Sequence, residues 1–244
     1  MNEKYYNQLK EIEFFKLHPS YIPFVGNEYE KYRILQISES HYNKKTVDAG
    51  KYGIAYFSKW FDEECPEVET DILKNKLTRR VCEEVCDGEQ YSNFDDPLRS
   101  FMKIVLGIEN ARVRKYNRCL YHHFAFMNFY QILAFEEKGY FKQAMYRQGK
   151  RENLLEQAQT LLETCRKTST KVVDEVIDIL DPKAIAFTSI DAWEQYIACD
   201  GQHIDDERMI FTAHPGRPWH SPQSKLQGHT GKQIFEKRLE DIYL

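Results

Sequence analysis

Apolar and polar positions fall in short blocks along the chain, and the period within each block predicts its element. Residues 3–16 read as an opening helix, followed by the loop "HPSYIPFVGNEY". Residues 33–38 carry Ile34, Leu35 and Ile37 and read as the first strand. Residues 67–87 place Val68, Ile72, Leu73, Leu77, Val81 and Val85 at helical spacing and stop at Gly88. In "DDPLRSFMKIVLG", Asp96 is the expected N-cap, Pro97 takes the first helical position, and Gly107 lies beyond the end. The aromatic-rich 123–130, "HFAFMNFY", reads as a strand. Two helices are expected over 151–166 and 169–180, the second capped by Ser169 and closed before Pro182.

The last third is the most explicit. "KAIAFTS" is a strand, with Ser189 capping a helix through Trp193, and "RMIFTA" is a further strand. Thr230 then caps a last helix, with Gln233 in the capping-box position. Strands separated by helices imply an α/β fold with a mostly parallel sheet covered on both faces. No repeat, low-complexity tract or linker divides the 244 residues, so one domain over 1–244 is expected, with 1–17 as a helical extension.

Three of these strands end in polar clusters: "SESHY" after 33–38, "NFYQ" after 123–127, and "HPGRPWH" after 208–213. Sites of open parallel sheets form outside the carboxyl ends of the strands. If the strands are parallel, one site is assembled from three distant segments.

Composition narrows the function. With 42% hydrophobic and 30% charged residues, the chain has the balance of a soluble globular protein. Its longest apolar runs, such as 124–127, are too short for a bilayer, so no membrane is expected as a partner. The first fifteen residues mix acids, bases and aromatics, unlike a signal peptide, which makes the cytoplasm the expected location. Of the six cysteines, Cys82 and Cys86 lie one helical turn apart and the rest are scattered, a spacing unlike a zinc or iron–sulfur set. No cofactor is expected. The formal charge of −4 does not advertise nucleic-acid binding, yet 208–238 holds six Lys/Arg against the single acid Glu236, and "ARVRKYNR" is a second basic run. A basic face on an acidic protein is one expectation. A monomer is the other.

The three strand-end segments, in their order, resemble the uracil-DNA glycosylase superfamily. The resemblance covers roughly residues 18–240 and implies a three-layer α/β/α sandwich around a parallel sheet. In that superfamily the first motif runs Gly-Gln-Asp-Pro-Tyr, Gly-Glu-Ala-Pro-Gly or a variant. "SESHY" sets Ser38 on the glycine, Glu39 on the Gln/Glu and Ser40 on the catalytic Asp/Asn/Ala. "FAFMN" puts Asn128 where the family reads a pyrimidine edge, and "AHPG" puts His214, Pro215 and Gly216 on the His-Pro-Ser motif. "PKAIAFTSIDAWEQY" is similar to the strand–helix unit before that motif. Ser40 departs from the family in carrying no negative charge, and His41 replaces the usual Pro.

N-glycosidic cleavage develops a cationic sugar and an anionic base, and both must be stabilised. The resemblance implies His214 at the leaving base and Asn128 hydrogen-bonding in the base plane. Glu39, the carboxylate of the first motif, is the candidate for water positioning or sugar stabilisation, with Ser40 beside it. The structural alternative for Glu39 is acceptance of backbone N–H bonds at the start of the next helix. Phe57, Tyr42 and Phe129 are the candidates to stack on the base. Arg217, Trp219 and His220 fall where the family presses a loop into a nucleic-acid groove. The implied partner is DNA or a nucleobase-containing ligand. A rival reading keeps the pocket as a non-catalytic nucleobase or nucleic-acid binding module. A metal-dependent hydrolase using Glu39, His41, His214, His220 and His229 ranks last, because their spacing matches no standard metal motif.

Overall fold

The computed structural model describes residues 2–40, 49–66, 68, 82, 96–107, 121–135, 141–215 and 217–244. Its framework is a five-stranded sheet: β1 (Phe24–Val25), β2 (Ile34–Ser38), β3 (Phe124–Asn128), β4 (Ala184–Phe187) and β5 (Met209–Phe211), in the order β1-β3-β2-β4-β5. β2 pairs in parallel with β3 and β4, β4 pairs in parallel with β5, and only the two-residue β1 runs antiparallel, on β3. The α/β class and the mostly parallel sheet are as the alternation of blocks predicts. β1 falls inside what the sequence reads as a loop.

Successive side chains of a strand face opposite sides. Here both sides are apolar, as a doubly covered parallel sheet requires. Leu35, Ile37, Ala125, Met127, Ile185, Phe187 and Met209 enter one buried cluster. Ile34, Phe124, Phe126, Ala184, Ala186 and Ile210 enter the other. The first cluster is completed by α1 (Glu3–Leu9), α2 (Glu13–Leu17), α3 (Ala49–Phe57), α5 (Phe141–Glu152), α6 (Leu155–Leu180) and α7 (Ile190–Ala198). The second is completed by α4 (Asp96–Val105), α8 (Arg217–His220) and α9 (Gly231–Tyr243).

Several elements differ from expectation. The opening helix is two short ones, with Ile12 extended (φ −59°, ψ 129°) and buried between them. The two helices expected over 151–180 are one continuous α6, and Ser169 does not cap it. Its hydroxyl is buried mid-helix and accepts the Gln131 backbone N–H (3.0 Å), so the polar group is satisfied from the sheet side and the helix runs on. α5 has no counterpart in the sequence reading. The helix expected over 67–87 lies outside the described residues, apart from Val68 and Cys82, which are helical and buried. Among the described residues no helix is long and apolar enough to cross a membrane.

Three local signals hold as read. Gly107 turns with φ 65° after α4. The Ser189 hydroxyl accepts the Ala192 N–H at the start of α7. Thr230 and Gln233 form a reciprocal capping box on α9. Gly231, the first residue of α9, packs so closely on the segment after β5 that a Cβ there would lie 2.9 Å from Thr212 Oγ1 and 3.1 Å from the Ala213 Cβ. The Thr212 hydroxyl donates to the Gly231 carbonyl (2.7 Å), which fixes the backbone immediately before His214.

Candidate functional site

The strand register puts the polar strand ends on one edge. Ser38 lies opposite Asn128, Ile37 opposite Phe187, and Phe187 opposite Phe211. Glu39, Asn128, Thr188–Ser189 and Thr212–His214 therefore all stand at the carboxyl edge of the parallel strands. The Ser38 and Thr188 hydroxyls bridge β2 and β4 at 3.0 Å.

Glu39 is the organising group. It is buried, at 6% exposure. Its carbonyl accepts the Tyr130 N–H (3.0 Å), its Oε1 accepts the Phe141 N–H at the start of α5 (3.0 Å), and its Oε2 accepts the Ser189 hydroxyl (3.1 Å). One side chain thus ties the end of β2 to two helix starts, and its carbonyl joins the end of β3. A carboxylate suits a helix N-terminus. Burial nevertheless pushes its carboxyl up to about 7, with the Asp191 charge adding to the rise and the Phe141 N–H and Ser189 hydroxyl opposing it. Glu39 does accept a backbone N–H at a helix start, but from α5 rather than from the next helix in the chain.

The Ser40 hydroxyl is buried and has no hydrogen-bond partner among the described residues. Asn128 is buried, and its carbonyl accepts the Gln131 side-chain amide (2.6 Å). His214 is half-buried, and burial lowers its imidazole below the ordinary range, favouring the neutral ring.

The remaining candidates do not join this group. Phe57 is 1% exposed, its ring edge-on to Trp60 (5.6 Å between centroids) and Phe135 (5.4 Å), so no face is open to a base. Phe129 is fully buried against Tyr130 and Phe187. Trp219 is 1% exposed and packs on Phe235 (5.5 Å), which makes it part of the second core rather than a wedge. His220 is exposed, with Nε2 3.2 Å from Asp96 Oδ2. Tyr42, His41 and the Arg217 side chain lie outside the described residues. Among the described residues, no three His, Cys, Asp or Glu side chains gather in a group that could hold a metal ion.

Two residues of the edge are not singled out by the sequence reading. Tyr130 stacks on Phe141 (3.9 Å, 21° between planes) and its hydroxyl donates to Asp191 Oδ2 (2.8 Å). Asp191, in the first turn of α7, lines a depression of about 290 Å³ together with Ile190, Glu194, Gln223, Ser224 and Lys225. Lys225 is paired with Glu194. Burial raises the Asp191 carboxyl, opposed first by the Tyr130 hydroxyl. The available signal was positional: "TSID" sets an acid just past the end of a strand already assigned to the sheet. No family model matches the chain, and no curated protein or solved structure matches it either.

Proposed function

We propose that the protein holds a nucleobase at the carboxyl edge of its sheet and hydrolyses the N-glycosidic bond of that base, uracil or a modified base flipped out of DNA, as the resemblance to the uracil-DNA glycosylase superfamily implies. The observation that carries the reading is the register: Glu39, Asn128 and His214 follow the ends of parallel strands of one sheet and stand on one edge. A neutral His214 donates a hydrogen bond to a carbonyl oxygen of the leaving base and stabilises the charge that develops there. Asn128 reads the pyrimidine edge with one donor and one acceptor. Glu39 holds the end of β2 in place through its two donors, and the Ser40 hydroxyl, which has no hydrogen-bond partner among the described residues, bonds the ligand.

A second reading, a nucleobase or nucleic-acid binding module without hydrolysis, draws on a specific observation. Both oxygens of Glu39 are already engaged, and the next residue is a serine rather than an acid. The separating experiment incubates purified protein with uracil-containing single- and double-stranded DNA, with and without chelator, and measures free base and bound DNA. Chelator-insensitive base release supports hydrolysis. Binding without release supports the module, and absence of both overturns the nucleobase reading.

A further inference from the structure

The carboxyl edge holds two carboxylates buried to different degrees. Glu39 is 6% exposed, and each of its oxygens accepts a hydrogen bond from the protein. Asp191 is half-buried on the wall of the depression; Tyr130 donates to its Oδ2, and the charges of Lys142 and Lys225 act on it against that of Glu194. Lys225, on the same wall, is engaged by Glu194. Tyr130 links the two acids, donating its N–H to the Glu39 carbonyl and its hydroxyl to Asp191. Asp191 is thereby fixed to the ends of β2 and β3 although it belongs to α7.

We infer that Asp191 is the carboxylate that faces the positive charge of the sugar, the charge that Ser40 cannot supply from the first motif. The inference rests on the nucleobase reading and names the acid of that same site. In the hydrolysis, a water oxygen bonds to the anomeric carbon as the bond from that carbon to the base nitrogen breaks. The bonding pair leaves with the base, whose anion His214 stabilises, and the proton lost by the water passes to Asp191. The base then takes a proton from solvent and Asp191 returns its own. A carboxyl whose affinity for protons is raised by burial is better suited to receive that proton than an exposed one.

The test separates charge recognition from turnover. The probes are two oligonucleotides, one with a cationic pyrrolidine in place of the target sugar and one with a neutral tetrahydrofuran. The wild type binds the cationic probe about tenfold more tightly, the scale of a partly buried ion pair. Asp191→Asn equalises the two, Asp191→Glu retains part of the preference, and Asp181→Asn at the opposite edge keeps all of it. Should Asp191→Asn fail to fold, Tyr130→Phe decides: it leaves the carboxylate but removes its donor, so the pH at which the preference sets in moves upward. A preference that survives in folded Asp191→Asn overturns the inference, as does a wild type with no preference or a Tyr130→Phe midpoint that does not move. Base release is measured in parallel. No release overturns the hydrolytic reading and with it the proton transfer to Asp191, although an Asp191-dependent preference still places that carboxylate at the sugar; release with an Asp191-independent preference keeps hydrolysis and overturns the inference.

Discussion

The two edges of the parallel sheet handle charge in opposite ways. At the amino edge, Arg33, Asp181, Asp206 and Arg208 precede their strands and form a chain: Arg33 to Asp181 (2.7 Å), Arg208 to Asp181 (3.1 Å) and Arg208 to Asp206 (2.6 Å). The Arg208 hydrogen bond holds Asp206 below the ordinary carboxylate range, and Asp206 in turn raises Arg208. At the carboxyl edge the leading cause is burial in every case: Glu39 and Asp191 are raised and His214 is lowered. Each shift there disfavours the charged form. The amino edge is thus neutralised from within, whereas the carboxyl edge holds groups whose charged forms burial disfavours.

The strongest way to break this contrast is at His214. His214→Ala is expected to lower base release by about 10²–10³, the usual cost of removing one donor to a developing anion. Asp181→Asn at the other edge should leave release unchanged. Single-turnover release of labelled uracil from an oligonucleotide measures both, and equal losses in the two variants would erase the distinction.

Next in size is the pH dependence of stability that Glu39 imposes. The folded protein keeps Glu39 protonated up to about pH 7, from an ordinary value of 4.5. Through that window the folded state binds more protons than the unfolded chain, so stability falls as pH rises. The full shift corresponds to about 3 kcal/mol. Glu39→Gln mimics the protonated acid, offering an oxygen to Phe141 and a donor to Ser189. Urea unfolding should find the variant close to wild type at pH 5 and more stable at pH 8, by up to about 3 kcal/mol.

A smaller effect concerns the basic run of 208–238. In the fold, Arg208 meets Asp206, Lys225 meets Glu194, Lys232 meets Glu236, and Lys237 and Arg238 meet Asp241. Cations with protein partners displace few counterions. DNA affinity is therefore expected to fall only about tenfold between 50 and 200 mM salt, against roughly 10³–10⁵ for a full phosphate-tracking face. Fluorescence anisotropy across that range checks it.

The smallest is at the amino edge. Arg208→Met should cost about 1 kcal/mol at pH 7, because its forked contact with Asp206 is largely shielded from water. Asp206 has a lowered carboxyl, so its contribution is present above the ordinary value of 3.8 and is lost as pH falls further. Chemical unfolding at pH 7 and pH 3 should show the gap between variant and wild type closing in acid.

What was legible in the sequence was local. The Ser189 cap, the Thr230–Gln233 box and the apolar strands depend on neighbours within a few residues, and each is found where it was read. What was missed depends on partners far along the chain. Ser169 resembles a cap until Gln131 uses its hydroxyl. Trp219 resembles an exposed wedge until Phe235 covers it. The run of basic residues looks like a charged face because Glu194, Asp206 and Asp241 lie outside it. At the site, the edge itself followed from the strand ends, but the difference in burial between Glu39 and Asp191 did not. That difference is set by α5 and α7 closing over one carboxylate and leaving the other on the wall of the depression.

The strand order also constrains how the chain reaches this state. Ile34 of β2 pairs with Phe124 on one side and with Ala184 on the other, so the central strand is synthesised long before either neighbour. A nascent chain carries β2 with both hydrogen-bonding edges open until most of the protein has left the ribosome, and such edges invite pairing between chains. Production at low temperature, or with chaperones that shield nascent strands, should therefore raise the soluble yield more than any change to the completed molecule's surface.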